Sequence, residues 1–234
     1  MCVRYTLHKS DAALTSISRA LGTHLDSPED ITPRYNASLT DAMPVVASAG
    51  GSYSVRKMRW GIIPADQRSL ERPRLLANAR SETAERMPAF RDAIAGRRCL
   101  VPANGFYEWK SVGRSKQPYL FTLSGEEPFA FAGIWDPADA AHPETFCILT
   151  TAPNSLLAPI HDRMPVLLAG DTARRWIGSA PLGGKDYGDL TSPLESGRME
   201  ARAVSRYVSN SRNEGPRCLE PPGSGSGEPE FDFG

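Results

Sequence analysis

The sequence predicts an α+β fold, a single domain with an antiparallel β-sheet core flanked by a few short helices. Short runs rich in Val, Ile, Thr, Phe and Tyr recur at hairpin spacing along most of the chain. Gly and Pro together make up about 17% of the 234 residues, against about 12% in an average protein, which favours turns over a helical bundle. No strand–helix–strand alternation of the kind that builds a parallel sheet is present.

Taken in order, Cys2 to Leu7 alternates and includes Val, Tyr and Thr, so it reads as a short strand. Apolar residues at 13, 14, 17, 20 and 21 give helical spacing, with Ser10 or Asp11 as the cap and Gly22 as the stop. Residues 26–42 are rich in Pro, Asp, Asn and Ser and read as a loop. MPVVASA and SYSVRKMRWGII read as strands around the Gly50-Gly51 turn. Ser81 with Glu85 opens one short helix that ends at Gly96. Strands follow at RCLVPANGFYEWK, PYLFTLS, PFAFAGIWD and TFCILTTAP, then strand MPVLL, helix DTARRWIG and a late strand MEARAVSRYV. The expected total is six to eight strands and two or three helices in a domain spanning 1–222. Residues 223–234 form an acidic Gly/Ser-rich tail expected to be flexible.

Composition narrows the class. Hydrophobic residues are 40% and charged residues 23%, an ordinary globular balance with enough apolar mass for a sizeable core. No run approaches the ~18 apolar residues of a membrane span, and MCVRYTLHKSD carries charge where a signal peptide is apolar. Cysteines at 2, 99, 147 and 218 make no CxxC pair and are too few for a disulfide scaffold. A reduced, cytoplasmic protein is expected. Net charge is zero, yet residues 51–117 hold 14 Lys/Arg against 6 Asp/Glu. Such a run is either a solvated face or a basic surface for a polyanion. No Walker loop, GxSxG elbow or HExxH occurs. Asn36-Ala37-Ser38 is a formal glycosylation sequon with no role in a protein that is not secreted.

Four residues invite chemistry. Removal of Met1 leaves Cys2 as a 1,2-aminothiol, an amine of pKa ~8 beside a thiol of pKa ~8.5. That pair can form a Schiff base with an aldehyde and close to a thiazolidine ring. It can equally serve as the nucleophile and base of an N-terminal nucleophile hydrolase. A small residue after Met1 with no chemistry accounts for Cys2 as well. Glu108 stands among Phe106, Tyr107 and Trp109, with the pleat putting Phe106 and Glu108 on one face. It is either an outward strand residue or a buried carboxylate with a task. His161 in IHDRMPV is either structural or a proton carrier at a strand entrance. Asn78 in LLANARSET reads as a cap or turn residue before a helix. Metal ligation is not expected from four scattered histidines and these cysteine spacings.

MCVRYTL, RYNAS, WGIIP, NARSET, FRDAIAGRRCLVPANGFYEWK, KQPYLF, IHDRMPV and AVSRYVSNSRNEG occur in the order seen in the SRAP family. The chain therefore resembles the SOS response-associated peptidases, or abasic-site processing proteins, from Cys2 to about Pro222. The resemblance implies one α+β domain that crosslinks to abasic sites in single-stranded DNA through its N-terminal cysteine. It carries the catalytic cysteine onto Cys2, the asparagine of NAR onto Asn78, the glutamate of GFYEW onto Glu108 and the histidine of IHDR onto His161. Two positions depart from the family's usual pattern, Val3 where glycine is common and an aromatic-free ADQRSLERPR after WGIIP. Arg4, Arg80 and Arg163, next to these motifs, are the candidate phosphate contacts. No metal or organic cofactor is implied, and a monomer with no membrane partner is expected, nucleoid-associated when on DNA. A thiol peptidase or amidohydrolase, and a non-catalytic single-strand binding module using the basic surplus, are the competing readings.

Overall fold

In the computed structural model, which describes residues 3–26, 31–49 and 51–223, the elements in chain order are β1 (Arg4–Leu7), α1 (Ser10–Leu21), β2 (Arg34–Ser38), β3 (Ala42–Ala49), β4 (Ser52–Trp60), β5 (Asn78–Arg80), α2 (Ser81–Ala84), α3 (Arg91–Gly96), β6 (Arg98–Ala103), β7 (Gly105–Val112), β8 (Ser115–Leu123), β9 (Phe129–Asp136), β10 (Thr145–Thr151), β11 (Met164–Pro165), β12 (Leu167–Leu168), α4 (Asp171–Ile177), α5 (Gly184–Thr191) and β13 (Met199–Ala203). The fold is mixed α and β with two sheets, as expected, although the strands outnumber the expectation. One sheet runs β13-β8-β7-β1-β2, all antiparallel. The other runs β11-β10-β4-β3-β6-β9-β12 with β5 beside β10. Because β10 also pairs with β9, the path β10-β4-β3-β6-β9 closes on itself and leaves none of those five strands at an open edge. Two pairings, β4–β10 and β5–β10, are parallel, a departure from an all-antiparallel core. Parallel neighbours need long crossovers, and residues 61–144 supply the one between β4 and β10.

Burial on both faces explains the apolar runs of the second sheet. Val45, Val101, Phe131, Phe146 and Ile148 point toward the first sheet, where they meet Tyr5, Phe106 and Phe121. Tyr5 packs edge-on against Trp60 and Phe131 at 5.3 and 5.5 Å, and Phe106 stacks on Phe121 at 5.1 Å. The alternate residues Val46, Leu100, Ala132 and Ile134 face Leu14, Ile17 and Leu21 of α1 and Trp176 and Ile177 of α4. Gly133 lies where β9 runs between β6 and β10; a Cβ there would meet Cys99 Sγ at 2.8 Å and Val101 Cγ2 at 2.9 Å. The outer face of the first sheet, Tyr107 and Leu120, is covered by Val204, Val208 and Cys218 of the C-terminal segment.

Several elements differ from the sequence expectation. Helix α1 ends as expected at Gly22, whose φ of +67° lets its N–H and that of Thr23 reach the Arg19 and Ser18 carbonyls. Its cap is Lys9 rather than Ser10 or Asp11, with the Lys9 N–H donating to Asn104 Oδ1 at 2.8 Å. The expected loop 26–42 contains β2, drawn into register by β1. The single helix expected after Ser81 is split into α2 and α3, with Pro88 between them lacking the N–H that would continue it. RCLVPANGFYEWK is two strands in different sheets, turning at Asn104. MPVLL divides at Val166, with β11 on β10 and β12 on β9. MEARAVSRYV leaves the sheet after Ala203 for a 3-10 helix over Arg206–Ser209. Helix α5, unexpected from a stretch with two glycines, is held by buried Tyr187 and Leu190. The ordered C-terminal segment reaches Gly223; the rest of the expected tail, 224–234, lies outside the described residues, as does Cys2. No helix among the described residues is long and apolar enough to cross a membrane.

Candidate functional site

Strand β7 brings Glu108 to the site. Phe106, two residues earlier on the same face, is locked in the core, so the pleat turns Glu108 inward as well, and only 4% of it is exposed. Burial, with a smaller push from Asp162, raises its carboxyl from 4.5 to about 7. The inward reading of Glu108 is the one the fold adopts.

His161 arrives on a loop built by Asn154. The Asn154 side chain accepts the Leu157 N–H at 3.1 Å and donates to the Leu194 carbonyl at 2.8 Å. Leu157 is fully buried, and the His161 N–H closes the turn on the Leu157 carbonyl. The Arg163 amide then donates to His161 Nδ1 at 3.0 Å. Burial lowers the imidazole pKa against an opposing pull from Asp162. The neutral ring, with Nδ1 occupied as an acceptor, carries its proton on Nε2, as assigned from this network. Asp162 also lies 3.0 Å from Nδ1, but a neutral ring forms no ion pair with it.

Arg4 in β1 is held from two directions. Its Nη1 donates to Asn36 Oδ1 at 2.6 Å and to the Val208 carbonyl at 3.0 Å, and its guanidinium lies 5.8 Å over the Trp109 ring. Asn36, fully buried in β2, donates in turn to the carbonyls of Val208, Asn210 and Asn213. This asparagine, met in the sequence only as a sequon, ties the C-terminal segment over the site. Arg34 and the Tyr35 amide both reach Glu214 and fasten the same segment.

The result is a cleft of about 690 Å³ lined by Val3, Arg4, Glu108, Trp109, Ser115, Lys116, His161, Arg206 and Ser209. Of the residues singled out from the sequence, the fold brings Arg4, Glu108 and His161 into it, beside Val3, the residue bonded to Cys2. Asn78 and Arg80 stand on β5, paired with Ile148 and Thr150 of β10; Asn78 is half-buried in a strand rather than capping a helix, and Arg80 is exposed. Arg163, expected as a phosphate contact, is committed elsewhere. It makes a two-point bond to Glu82 at 2.6 and 2.8 Å and another to the Thr150 carbonyl, so it fixes the His161 loop to α2 and β10. Lys116, Arg206 and Ser209 were not singled out in the sequence; the motifs KQPYLF and AVSRYVSNSRNEG contain them.

The basic run of 51–117 is not one face. Arg56 pairs with Glu144, Arg68 with Asp136 and Asp139, and Arg97 with Asp136. Arg98 is buried with its N–H groups on the carbonyls of Ile94, Ala95, Trp176, Gly178 and Ala180. The cleft itself is cationic through Arg4, Lys116 and Arg206, with Glu108 as its only lining carboxyl among the described residues. No group of three or more His, Cys, Asp or Glu among the described residues is placed to hold a metal.

Fold and site define an α+β protein whose N-terminal strand opens into a cationic cleft holding one buried carboxyl and one neutral imidazole. Residues 1–211 match the family model described as SOS response associated peptidase (SRAP), and the chain belongs to that family. It is 32% identical over 225 residues to abasic site processing protein YoqW of Bacillus subtilis, covering 94% of this chain and 99% of that one. It is 30% identical over 221 residues to abasic site processing protein HMCES of Xenopus tropicalis, covering 80% and 65%. The crystal structure of a protein from Bacteroides thetaiotaomicron superposes with a TM-score of 0.77 at 26% identity, covering 94% of this chain and 99% of that one.

Proposed function

We propose that this protein captures abasic sites in single-stranded DNA by covalent reaction at Cys2. The observation that carries the reading is the convergence of Val3, Glu108 and His161 on one cleft whose other charged groups are cations. Cys2 is bonded directly to Val3, a residue of that cleft. The names of relatives such as YoqW and HMCES supply the substrate.

The reaction needs a free amine, and at pH 7 an α-amine of pKa ~8 is mostly ammonium. Glu108 takes that proton. A carboxylate held at about 7 accepts it at a cost of about 1.4 kcal/mol, whereas one at the ordinary value would cost nearly 5 kcal/mol. The amine adds to the ring-opened sugar aldehyde and loses water to give a Schiff base. The Cys2 sulfur then adds to the imine carbon, the S–H proton passes to nitrogen, and a thiazolidine closes. His161 donates from Nε2 to the sugar oxygen released on ring opening. Asn78 orients the Cys2 backbone and the new ring, and Arg4 and Arg80 contact phosphates, which gives affinity without sequence preference.

Intact-mass spectrometry after incubation with an abasic oligonucleotide tests the proposal. The expected product is protein without Met1 plus oligonucleotide minus one water. Cys2→Ala should give none, and Cys2→Ser at most an adduct that requires borohydride trapping. An undiminished adduct in Cys2→Ala, or peptide turnover with no adduct in the wild type, overturns it.

A further inference from the structure

Strands β7 and β8 end in a hairpin at the rim of the cleft. Trp109, Ser115 and Lys116 line the cleft, and the register Lys110↔Gln117, Ser111↔Lys116, Val112↔Ser115 carries the hairpin onward to a two-residue turn at Gly113, φ +58°. At about 3.3 Å per residue Val112 stands some 10 Å along the strand from Trp109, with Ser115 of the cleft lining opposite it. Lys110, Arg114 and Lys116 are all exposed, and no carboxylate occurs between residues 109 and 125. Arg56, Arg68 and Arg97 are neutralised by acids from 136–144, but these three make no ion pair among the described residues. Val112 at the tip is 38% exposed, an apolar surface for a sugar or base.

We propose that this hairpin is a second nucleic-acid contact surface, holding the phosphates of the strand as it leaves the cleft. The proposal builds on the DNA reading of the cleft and extends it outward. Continuity with the cationic cleft and a hairpin sequence free of carboxylates between residues 109 and 125 single out a polyanionic strand as the occupant.

The test is equilibrium binding of a Lys110→Ala/Arg114→Ala double variant, in a Cys2→Ala chain so that no adduct forms. One oligonucleotide ends one nucleotide either side of the abasic position; the other extends several nucleotides further on both sides. With the long strand, losing two phosphate contacts should lower the salt slope by about 1.4. Between about 50 and 200 mM salt the parent should then weaken about sevenfold more than the variant. With the short strand the two should share one slope. A charge-reversed Lys110→Glu/Arg114→Glu pair should deepen the loss on the long strand alone. Equal slopes on the long strand, or equal losses on both lengths, overturn the proposal. Adduct formation by a chain with Cys2 intact is scored separately by mass, so failure of the crosslinking reading is distinguishable from failure of the hairpin.

Discussion

Replacing Glu108 by Gln should make the protein more stable and less active. Its carboxyl is 4% exposed and held at about 7 mainly by burial. Between pH 4.5 and 7 the folded state therefore binds more protons at this position than the unfolded chain, and stability falls as pH rises through that window. At about 1.4 kcal/mol per pKa unit, the loss is complete near pH 8 and amounts to up to about 3 kcal/mol. Gln has the same shape and stays neutral at every pH. Thermal melts at pH 8 should show Glu108→Gln melting roughly 6–12 °C above the wild type for a chain of this size, with no gain at pH 4. Adduct formation should slow most near pH 7 and recover toward pH 9, where solvent supplies the free amine. A variant destabilised equally at pH 4 and 8, or slowed equally across that range, would refute both the burial argument and the role as base.

Two further substitutions test the frame around the cleft. Asn36→Ala removes the acceptor for Arg4 and one hydrogen bond from each of the Val208, Asn210 and Asn213 carbonyls. It should cost on the order of 3 kcal/mol, read as a lowered urea midpoint, together with faster proteolysis within 204–223; an unchanged midpoint would mean the segment is held by other contacts. Gly133→Ala forces a methyl against Cys99 Sγ and Val101 Cγ2 and should cost about 1–3 kcal/mol. Adding Cys99→Ala should recover part of that loss, and no recovery would place the strain elsewhere.

The strands that carry the core were legible because their apolar residues are continuous and their turns contain glycine. Phe129 to Trp135 and Phe146 to Leu149 could not be anything but buried. What escaped the sequence is set by partners distant in the chain. β2 is a strand because β1 and the C-terminal segment lie on either side of it, and nothing local in RYNAS says so. Asn78 sits in a strand because β10 offers it an edge 70 residues later. In the site, the pleat put Glu108 on the face of Phe106, but that this face is the buried one came from the fold. The engagement of Arg163 by Glu82, and the pairing of Arg56, Arg68 and Arg97 with Asp136, Asp139 and Glu144, required the fold, since charge counted along a chain says nothing about which charges meet.

The hydrogen bond from Arg4 to the Val208 carbonyl joins residues 204 apart in the chain, and this has a consequence for synthesis. A ribosome adding roughly 5–20 residues per second needs about 10–40 s to make the second partner after the first. Throughout that interval the N-terminal strand lacks Asn36's carbonyl partners and the segment bearing Arg206 and Ser209, so the cleft is incomplete on the nascent chain. Products released before residue 213 would carry the first strand with no finished cleft around it, and competence arrives only once the segment through residue 213 has been made.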